Sequence, residues 1–258
     1  MQLHFKEFGA GEPLVMLHGL FGSSDNWLGV TKNLAAQFHV YLLDLRNHGQ
    51  SFHSEEMDYS LMADDVAEFL NSKNLESANV LGHSLGGKVA MRFALNYPAR
   101  MKKLVVVDMS PRVYEPEHEP IFRALLALDL EQFSSRTEME NALEPEIPSL
   151  TLRRFLLKNI GKNSEGDFAW KMNLSGLAES YPKLAEAISS ADPFPKPALF
   201  IRGGKSDYIL DSDLPTIQKL FPHAKIETIA DARHWVHADA PEEFTKIVLD
   251  FLSADFAD

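Results

Sequence analysis

Residues 79–88 read Asn-Val-Leu-Gly-His-Ser-Leu-Gly-Gly-Lys and contain a G-x-S-x-G motif with Ser84 at its centre. An apolar run before the motif predicts a strand, and Val89, Phe93 and Tyr97 after it have the spacing of one helical face. A strand, a glycine-rich turn and a helix in this order are typical of a nucleophile elbow, which lifts a serine hydroxyl above the sheet. A bare motif would equally fit a glycine-rich turn before an ordinary helix. Since strand, turn and helix are all present, we expect Ser84 to be a nucleophile.

Strand and helix patterns alternate on both sides of this motif. Short apolar runs predict buried strands, and amphipathic runs between them predict helices. Such alternation is typical of an α/β domain, in which right-handed crossovers join a mostly parallel central sheet flanked by helices. The predicted strands cover residues 3–8, 14–17, 40–43, 79–82, 103–107, 198–202 and 225–229.

The alternation stops between residues 111 and 193. This segment lacks a convincing strand pattern, and its amphipathic runs predict short helices near residues 119–128, 131–143 or 136–143, 150–159 and 181–189. It leaves from the end of one predicted strand and returns to the start of the next. We therefore expect residues 111–193 to form a helical cap, inserted into a core domain of residues 1–110 and 194–258. Ligands of such sheets bind at the carboxyl ends of the strands, and the cap is placed to cover that edge.

The composition limits the classes of function. The chain has 258 residues, a net charge of −12 and no cysteine. The negative charge disfavours a nucleic acid or an anionic membrane as partner, and the lack of cysteine excludes disulfides and thiolate metal sites. Neither a tight histidine metal motif nor a phosphate-binding glycine loop occurs, so we expect no metal and no cofactor. Without a signal-peptide pattern or an apolar run of ~20 residues, we expect a cytoplasmic protein, monomeric or a small homo-oligomer.

A serine hydroxyl needs a base to become a nucleophile, and a carboxylate orients that base. The chain order serine, acid, histidine is the one associated with an elbow of this kind. His234 follows the last predicted strand and is preferred as the base over its competitor His237, because it is closer to the strand end. Two candidate acids, Asp108 and Asp207, each follow a predicted strand. Both carboxylates are within reach of His234 in such a sheet, so the residues alone leave the acid open.

Two backbone N–H groups are expected to bind the negative oxygen that develops on the substrate. One is the N–H of Leu85, directly after the nucleophile. The other comes from the loop His18-Gly19-Leu20-Phe21, which follows the second predicted strand, and Leu20 is the preferred donor.

Five blocks of this sequence have a recognisable order. They are HGLFGS at 18–23, RNHG at 46–49, GHSLGGK at 82–88, DMSP at 108–111 and HWVH at 234–237. In these blocks the chain resembles the YbfF-like bacterial esterases and their mitochondrial abhydrolase relatives, within the α/β-hydrolase superfamily. The resemblance covers nearly the whole chain, and five blocks in register are more specific than any one of them.

The resemblance implies an α/β-hydrolase fold and a serine hydrolase that cleaves carboxylic esters with short to medium acyl chains, with acyl-CoA thioesters as a further substrate class. Many members of the superfamily place the acid at the position of Asp207. The closer group instead has a serine in that loop, which matches Ser206, and uses the strand-end aspartate that matches Asp108. The resemblance therefore favours Asp108, with Asp207 as the alternative acid. Many relatives have glycine where this chain has Arg233.

Other functions of the same fold stay open at this point. They are C–C hydrolysis, a lyase reaction, cofactor-free perhydrolysis, and a non-catalytic ligand-binding protein, because a fold does not fix a function. Apolar cap residues are candidates for the wall of an acyl pocket, although their helical spacing fits plain packing equally well. These residues are Phe122, Leu125, Phe155 and Trp170.

Overall fold

The computed structural model describes residues 2–255 and contains a mostly parallel sheet flanked by helices, as the sequence predicts. The strands within this range are β1 (Phe5–Phe8), β2 (Glu12–Leu17), β3 (Phe38–Leu43), β4 (Ala78–His83), β5 (Met101–Val107), β6 (Ile160–Lys162), β7 (Phe168–Trp170), β8 (Ala198–Gly203) and β9 (Ala224–Ile229). The helices are α1 (Leu28–Leu34), α2 (Tyr59–Ser72), α3 (Leu85–Asn96), α4 (Glu119–Leu126), α5 (Arg136–Ala142), α6 (Leu150–Leu157), α7 (Leu174–Ala185), α8 (Leu214–Leu220), α9 (Val236–Asp239) and α10 (Pro241–Ser253).

The large sheet has seven described strands in the order β1-β3-β2-β4-β5-β8-β9. Strand β1 runs antiparallel to β3, and the other neighbours are parallel. The register pairs Leu17 with Gly82 and His83 with Val107. Strands β2, β4 and β5 therefore end at one edge of the sheet, and Ser84 follows directly on the middle strand of the three.

Each face of the sheet is covered by its own hydrophobic layer, because side chains alternate along a strand. On β2, Val15 and Leu17 pack with α2 and α3, whereas Leu14 and Met16 pack with α1 and α10. Burial on both faces explains why the central strands are continuously apolar in the sequence.

The segment between β5 and β8 is mainly helical, with α4–α7 in it, but the expectation of no strand there is wrong. Strands β6 and β7 form a small antiparallel hairpin of three residues each. Its turn is closed by Asn163, whose side chain accepts from the backbone N–H of Glu165 and of Asp167, and Gly166 has a positive φ of 92°. Strands this short carry no readable alternation, which explains why the pattern missed them.

The last helix of this segment also differs from the prediction. Instead of residues 181–189, α7 spans Leu174–Ala185, and the side chain of Asn173 caps it by accepting from the N–H of Gly176. Pro182 lies inside this helix near its end. The sequence pattern treated this proline as an interruption, whereas α7 continues past it and ends at Ala185.

Candidate active site

The turn around Ser84 has the strained geometry of a nucleophile elbow. Ser84 has φ 52° and ψ −117°, a conformation that costs on the order of 1–3 kcal/mol for a residue with a side chain. A Cβ atom on Gly82 would lie 2.0 Å from the carbonyl oxygen of Gly86, and one on Gly86 would lie 2.4 Å from that of Leu17. Both motif glycines are therefore required for the close approach of β4, α3 and β2.

Neighbouring strands hold the elbow through its backbone. The N–H of Ser84 donates to the carbonyl of Val107 at 3.1 Å, and the N–H of Gly86 donates to that of His18 at 3.1 Å. These bonds attach the serine to β5 on one side and to the loop after β2 on the other. The strain at Ser84 is thus maintained by the sheet on both sides of it.

The structure brings His234 and Asp108 into contact. Nδ1 of His234 lies 2.9 Å from Oδ2 of Asp108, and Asp108 is fully buried. The other carboxylate oxygen accepts from the N–H of Gly203 at 2.9 Å, and the hydroxyl of Ser206 donates to Oδ2. Asp108 has φ 48°, so the backbone turns sharply at the end of β5 and aims its side chain along the sheet edge.

The alternative acid Asp207 lies elsewhere. Its side chain is exposed, and within residues 2–255 its carboxylate forms neither a hydrogen bond nor an ion pair. Its main-chain oxygen accepts from Arg112 at 3.1 Å. The loop after β8 therefore contributes Ser206 to the acid, and not Asp207.

Two aromatic residues that the sequence analysis did not single out hold His234. The ring of Tyr208 stacks on the ring of His234 with centroids 3.8 Å apart, and Nε2 of His83 donates to the carbonyl of His234 at 2.8 Å. His83 lies inside the G-x-S-x-G motif, directly before Ser84, so its position in the sequence already indicated that it contacts the site. Tyr208 had no such signal, because only the folded chain places its ring over the imidazole.

The competing histidine, His237, is part of a buried aromatic cluster. Its ring lies 4.4 Å from Trp27 and 5.0 Å from His83, and burial lowers its pKa to about 4. In the described part of the chain, no carboxylate contacts its side chain, and its buried Nδ1 has no hydrogen-bond partner. The structure therefore places His234, and not His237, beside an acid.

The loop after β2 lies against Ser84. A Cβ atom on Gly19 would be 3.2 Å from Cβ of Ser84, so a larger residue there would press on the serine. His18 fixes this loop, since its Nδ1 donates to the carbonyl of Gly19 at 2.8 Å and its Nε2 accepts from the N–H of Leu45 at 3.0 Å. Burial lowers the pKa of His18, which favours this neutral form. The N–H groups of Leu20 and Leu85 donate to no protein acceptor within residues 2–255.

Three adjoining cavities lie near the elbow, and we name them by their lining. Ser84 lines the first two of them. The tyrosine cavity, about 500 Å³, is lined by Tyr59, Tyr114, Tyr181 and Tyr208 together with Ser84 and Leu85. The histidine cavity, about 640 Å³, is lined by Ser84, His18, His83, His118, His234 and His237. The basic cleft, about 830 Å³, is lined by Lys6, Arg136, Lys158 and Lys171. Ser84 and His234 share the histidine cavity.

The four apolar residues proposed for the wall of an acyl pocket lie in different environments. Phe155 lines the histidine cavity and the basic cleft. Phe122 and Leu125 are buried in the core, and Trp170 packs against it. Phe155 also packs against the core, so packing is observed for all four residues and cavity lining for Phe155.

Lys88, one helical turn beyond Ser84, lies in the wall of the tyrosine cavity with 1% of its surface exposed. Its ammonium donates to the carbonyls of Arg112 at 2.9 Å, of Ala185 at 3.5 Å, and of Glu186. Burial lowers the pKa of Lys88 to about 7. This lysine joins the elbow helix to both ends of the segment between β5 and β8. The sequence motif gave no indication of this role.

Known proteins resemble this chain along most of its length. A family model described as alpha/beta hydrolase fold matches residues 12–136. The sn-1-specific diacylglycerol lipase ABHD11 of Xenopus tropicalis is 36% identical over 252 residues, which cover 95% of this chain and 79% of that protein. Esterase YbfF of Escherichia coli is 32% identical over 244 residues, or 93% of each chain.

The chain belongs to the α/β-hydrolase family. Among solved structures, a marine microorganism esterase superposes on this α/β-hydrolase with a TM-score of 0.95 and 43% identity, covering 97% of this chain and 99% of that one. The chain is thus an enzyme of the esterase and lipase type, as its sequence predicts.

Two further observations describe what the structure contains. Within residues 2–255, His, Cys, Asp and Glu residues form no group of three or more that could hold a metal ion. In the same range, no helix is both long enough and apolar enough to cross a membrane.

Proposed function

We propose that this α/β-hydrolase cleaves carboxylic esters of short to medium acyl chains through an acyl-enzyme on Ser84. The observation that carries the proposal is the 2.9 Å contact between His234 and buried Asp108, with Ser84 and His234 facing one cavity. A carboxylate on Nδ1 holds the imidazole in the tautomer whose Nε2 accepts a proton. Residues 111–193 act as the cap over this site, and the enzyme works in the cytoplasm as a monomer or small homo-oligomer.

Acylation begins when His234 takes the proton of the Ser84 hydroxyl and Oγ attacks the carbonyl carbon of the ester. The negative oxygen of the tetrahedral intermediate accepts hydrogen bonds from the N–H groups of Leu20 and Leu85. Their lack of protein acceptors within residues 2–255 supports this role. The bond to the alcohol oxygen then breaks, and His234 gives its proton to that oxygen.

Deacylation repeats these steps with water. His234 takes a proton from the water, the hydroxide attacks the acyl carbon, and the bond to Ser84 Oγ breaks as the proton returns to the serine. The products are a carboxylic acid and the free alcohol. Acyl-CoA thioesters undergo the same steps, with a thiol leaving in place of the alcohol. The imidazolium that forms in each half faces Asp108, whose buried charge stabilises it.

A series of p-nitrophenyl esters with increasing acyl length tests this proposal. We expect turnover that is abolished in Ser84→Ala, and covalent labelling of Ser84 by a phosphonate ester, detected by peptide mass spectrometry. Ser72 is the exposed last residue of α2. Ser72→Ala is the matched control and should keep full activity. Turnover that persists in Ser84→Ala, or a wild-type protein that takes up neither ester nor phosphonate, contradicts the proposal.

A further inference from the structure

The basic cleft is unusual in a chain with a net charge of −12. Arg136 at the start of α5, Lys158 at the end of α6 and Lys171 after β7 converge on it from three elements. The three residues are neighbours in space: Arg136 donates to the carbonyl of Ile160, and Lys171 donates to that of Lys158 at 3.3 Å. These three exposed side chains therefore form one cluster.

The two acids that line the cleft, Asp25 and Asp44, contact other groups and form no ion pair with this cluster. Asp25 pairs with Lys6, on the opposite wall. Asp44 is buried and accepts from the N–H groups of Ser24 and Gln50 at 2.6 and 2.9 Å. Within residues 2–255, Arg136, Lys158 and Lys171 have no carboxylate within ion-pair distance. These three cations thus line the cleft without an ion-pair partner in the described part of the chain.

The cleft continues the path along which a leaving group would depart. Phe21, Asn26 and Phe155 line both the histidine cavity and the basic cleft, so the two spaces are adjacent. His234 lines the histidine cavity but not the tyrosine cavity. Because His234 must protonate the leaving group, that group occupies the histidine cavity, and the acyl chain occupies the more apolar tyrosine cavity.

We propose that the basic cleft binds a phosphate ester carried by the leaving group of the substrate. This inference rests on the proposed esterase function and names its substrate class. Arginine and lysine side chains that converge without carboxylate partners are suited to the multiple charge of a phosphate. The histidine cavity separates the cleft from Ser84, so the phosphate and the scissile bond are joined by a spacer. A thioester of coenzyme A has a long spacer of this kind, whereas an acylated glycerol phosphate has a short one.

Matched substrates with and without the phosphate test this inference. Butyryl-CoA is compared with S-butyrylpantetheine, and 1-butyrylglycerol 3-phosphate with 1-butyrylglycerol. The test variant is Lys158→Gln with Lys171→Gln. The control is Lys162→Gln with Lys183→Gln, which removes the same charge from exposed lysines of the same segment outside the cleft. p-Nitrophenyl butyrate reports on the catalytic residues alone.

We expect the wild type to prefer butyryl-CoA over S-butyrylpantetheine in kcat/KM. The cleft variant should lose roughly five- to tenfold on butyryl-CoA. The control variant should lose little, and neither should change on p-nitrophenyl butyrate. The preference should also shrink as salt is added. A preference confined to the glycerol phosphate pair also supports the cleft and identifies a lipid-type phosphate as its ligand.

Equal rates within both substrate pairs, in a wild type that hydrolyses p-nitrophenyl butyrate, would overturn the inference. So would a loss in the cleft variant that is equal on neutral and phosphate-bearing substrates, since Lys158 would then act only by stabilising the end of α6. If the wild type hydrolyses no ester at all, the proposed function fails first. The p-nitrophenyl assay separates these two failures.

Discussion

Asp108→Asn is expected to stop catalysis while leaving the fold intact. The N–H of Gly203 is fixed by the backbone and can pair only with an oxygen, so the asparagine must keep its oxygen on that side. Its NH2 group then takes the place of Oδ2, facing the hydroxyl of Ser206 and Nδ1 of His234. The serine hydroxyl can turn and accept. The imidazole can accept only if Nδ1 is unprotonated, which moves its proton to Nε2.

A histidine with its proton on Nε2 cannot take the proton of Ser84. The corresponding change in a serine protease triad lowers kcat about 10⁴-fold, equivalent to about 5 kcal/mol of transition-state stabilisation, and we expect a loss of this order. Because every hydrogen bond around residue 108 finds a partner in the variant, the thermal midpoint should stay near that of the wild type. The loss should therefore appear in kcat and not in stability.

Steady-state turnover of p-nitrophenyl butyrate, the rate of phosphonate labelling of Ser84, and thermal unfolding measure this prediction. Both rates should fall together, since both need the same proton transfer. The control Asp207→Asn removes an exposed carboxylate and should change kcat by no more than about twofold. A large loss in Asp207→Asn with an active Asp108→Asn would refute the assignment, as would an Asp108→Asn variant that is inactive only because it is unfolded.

Two further predictions concern buried groups outside the proposed triad. Lys88→Met leaves the carbonyls of Arg112 and Glu186 without a donor, whereas that of Ala185 keeps the N–H of Tyr114. The variant should lower the free energy of unfolding by on the order of 2 kcal/mol, measured by urea titration, and unchanged stability would contradict this. His237 has its pKa lowered from 6.5 to about 4, so the unfolded chain binds its proton first. As the pH drops from 6.5 to 4, this group should lower the free energy of unfolding by about 3 kcal/mol. His237→Phe should remove that part of the pH dependence of the free energy of unfolding.

The fold was predictable because its strongest determinants are local. Continuous apolar strands, the helices between them and the two motif glycines all leave patterns in the sequence. The hairpin β6–β7 and the true bounds of α7 did not, for a physical reason. A three-residue strand is too short to show a period, and a proline within a helix's final turns does not stop a helix that Asn173 has already started.

The candidate site was predictable in part for the same reason. The motif and the order of residues along the chain define the positions of Ser84 and His234, but they do not define the position of the acid. Asp108 and Asp207 follow β5 and β8, which are parallel neighbours, so both residues come to the same sheet edge. What separates them is the direction of a side chain, set by the positive φ of Asp108 and the N–H of Gly203. Neither leaves a trace in the sequence.

In the proposed mechanism, the surroundings of His234 explain why Asp108 alone can stabilise the charged imidazole. His83, His118 and His237 are neighbours whose pKa values are lowered, mainly by burial and further by His234 itself. These rings stay uncharged when His234 takes a proton, so no second positive charge competes with the new imidazolium. Asp108 is then its direct charge partner, in a buried setting where an electrostatic contact is stronger than in water. A neutral residue at position 108 therefore has two effects. It leaves the imidazolium without a charge partner, and it favours the tautomer of His234 that carries its proton on Nε2.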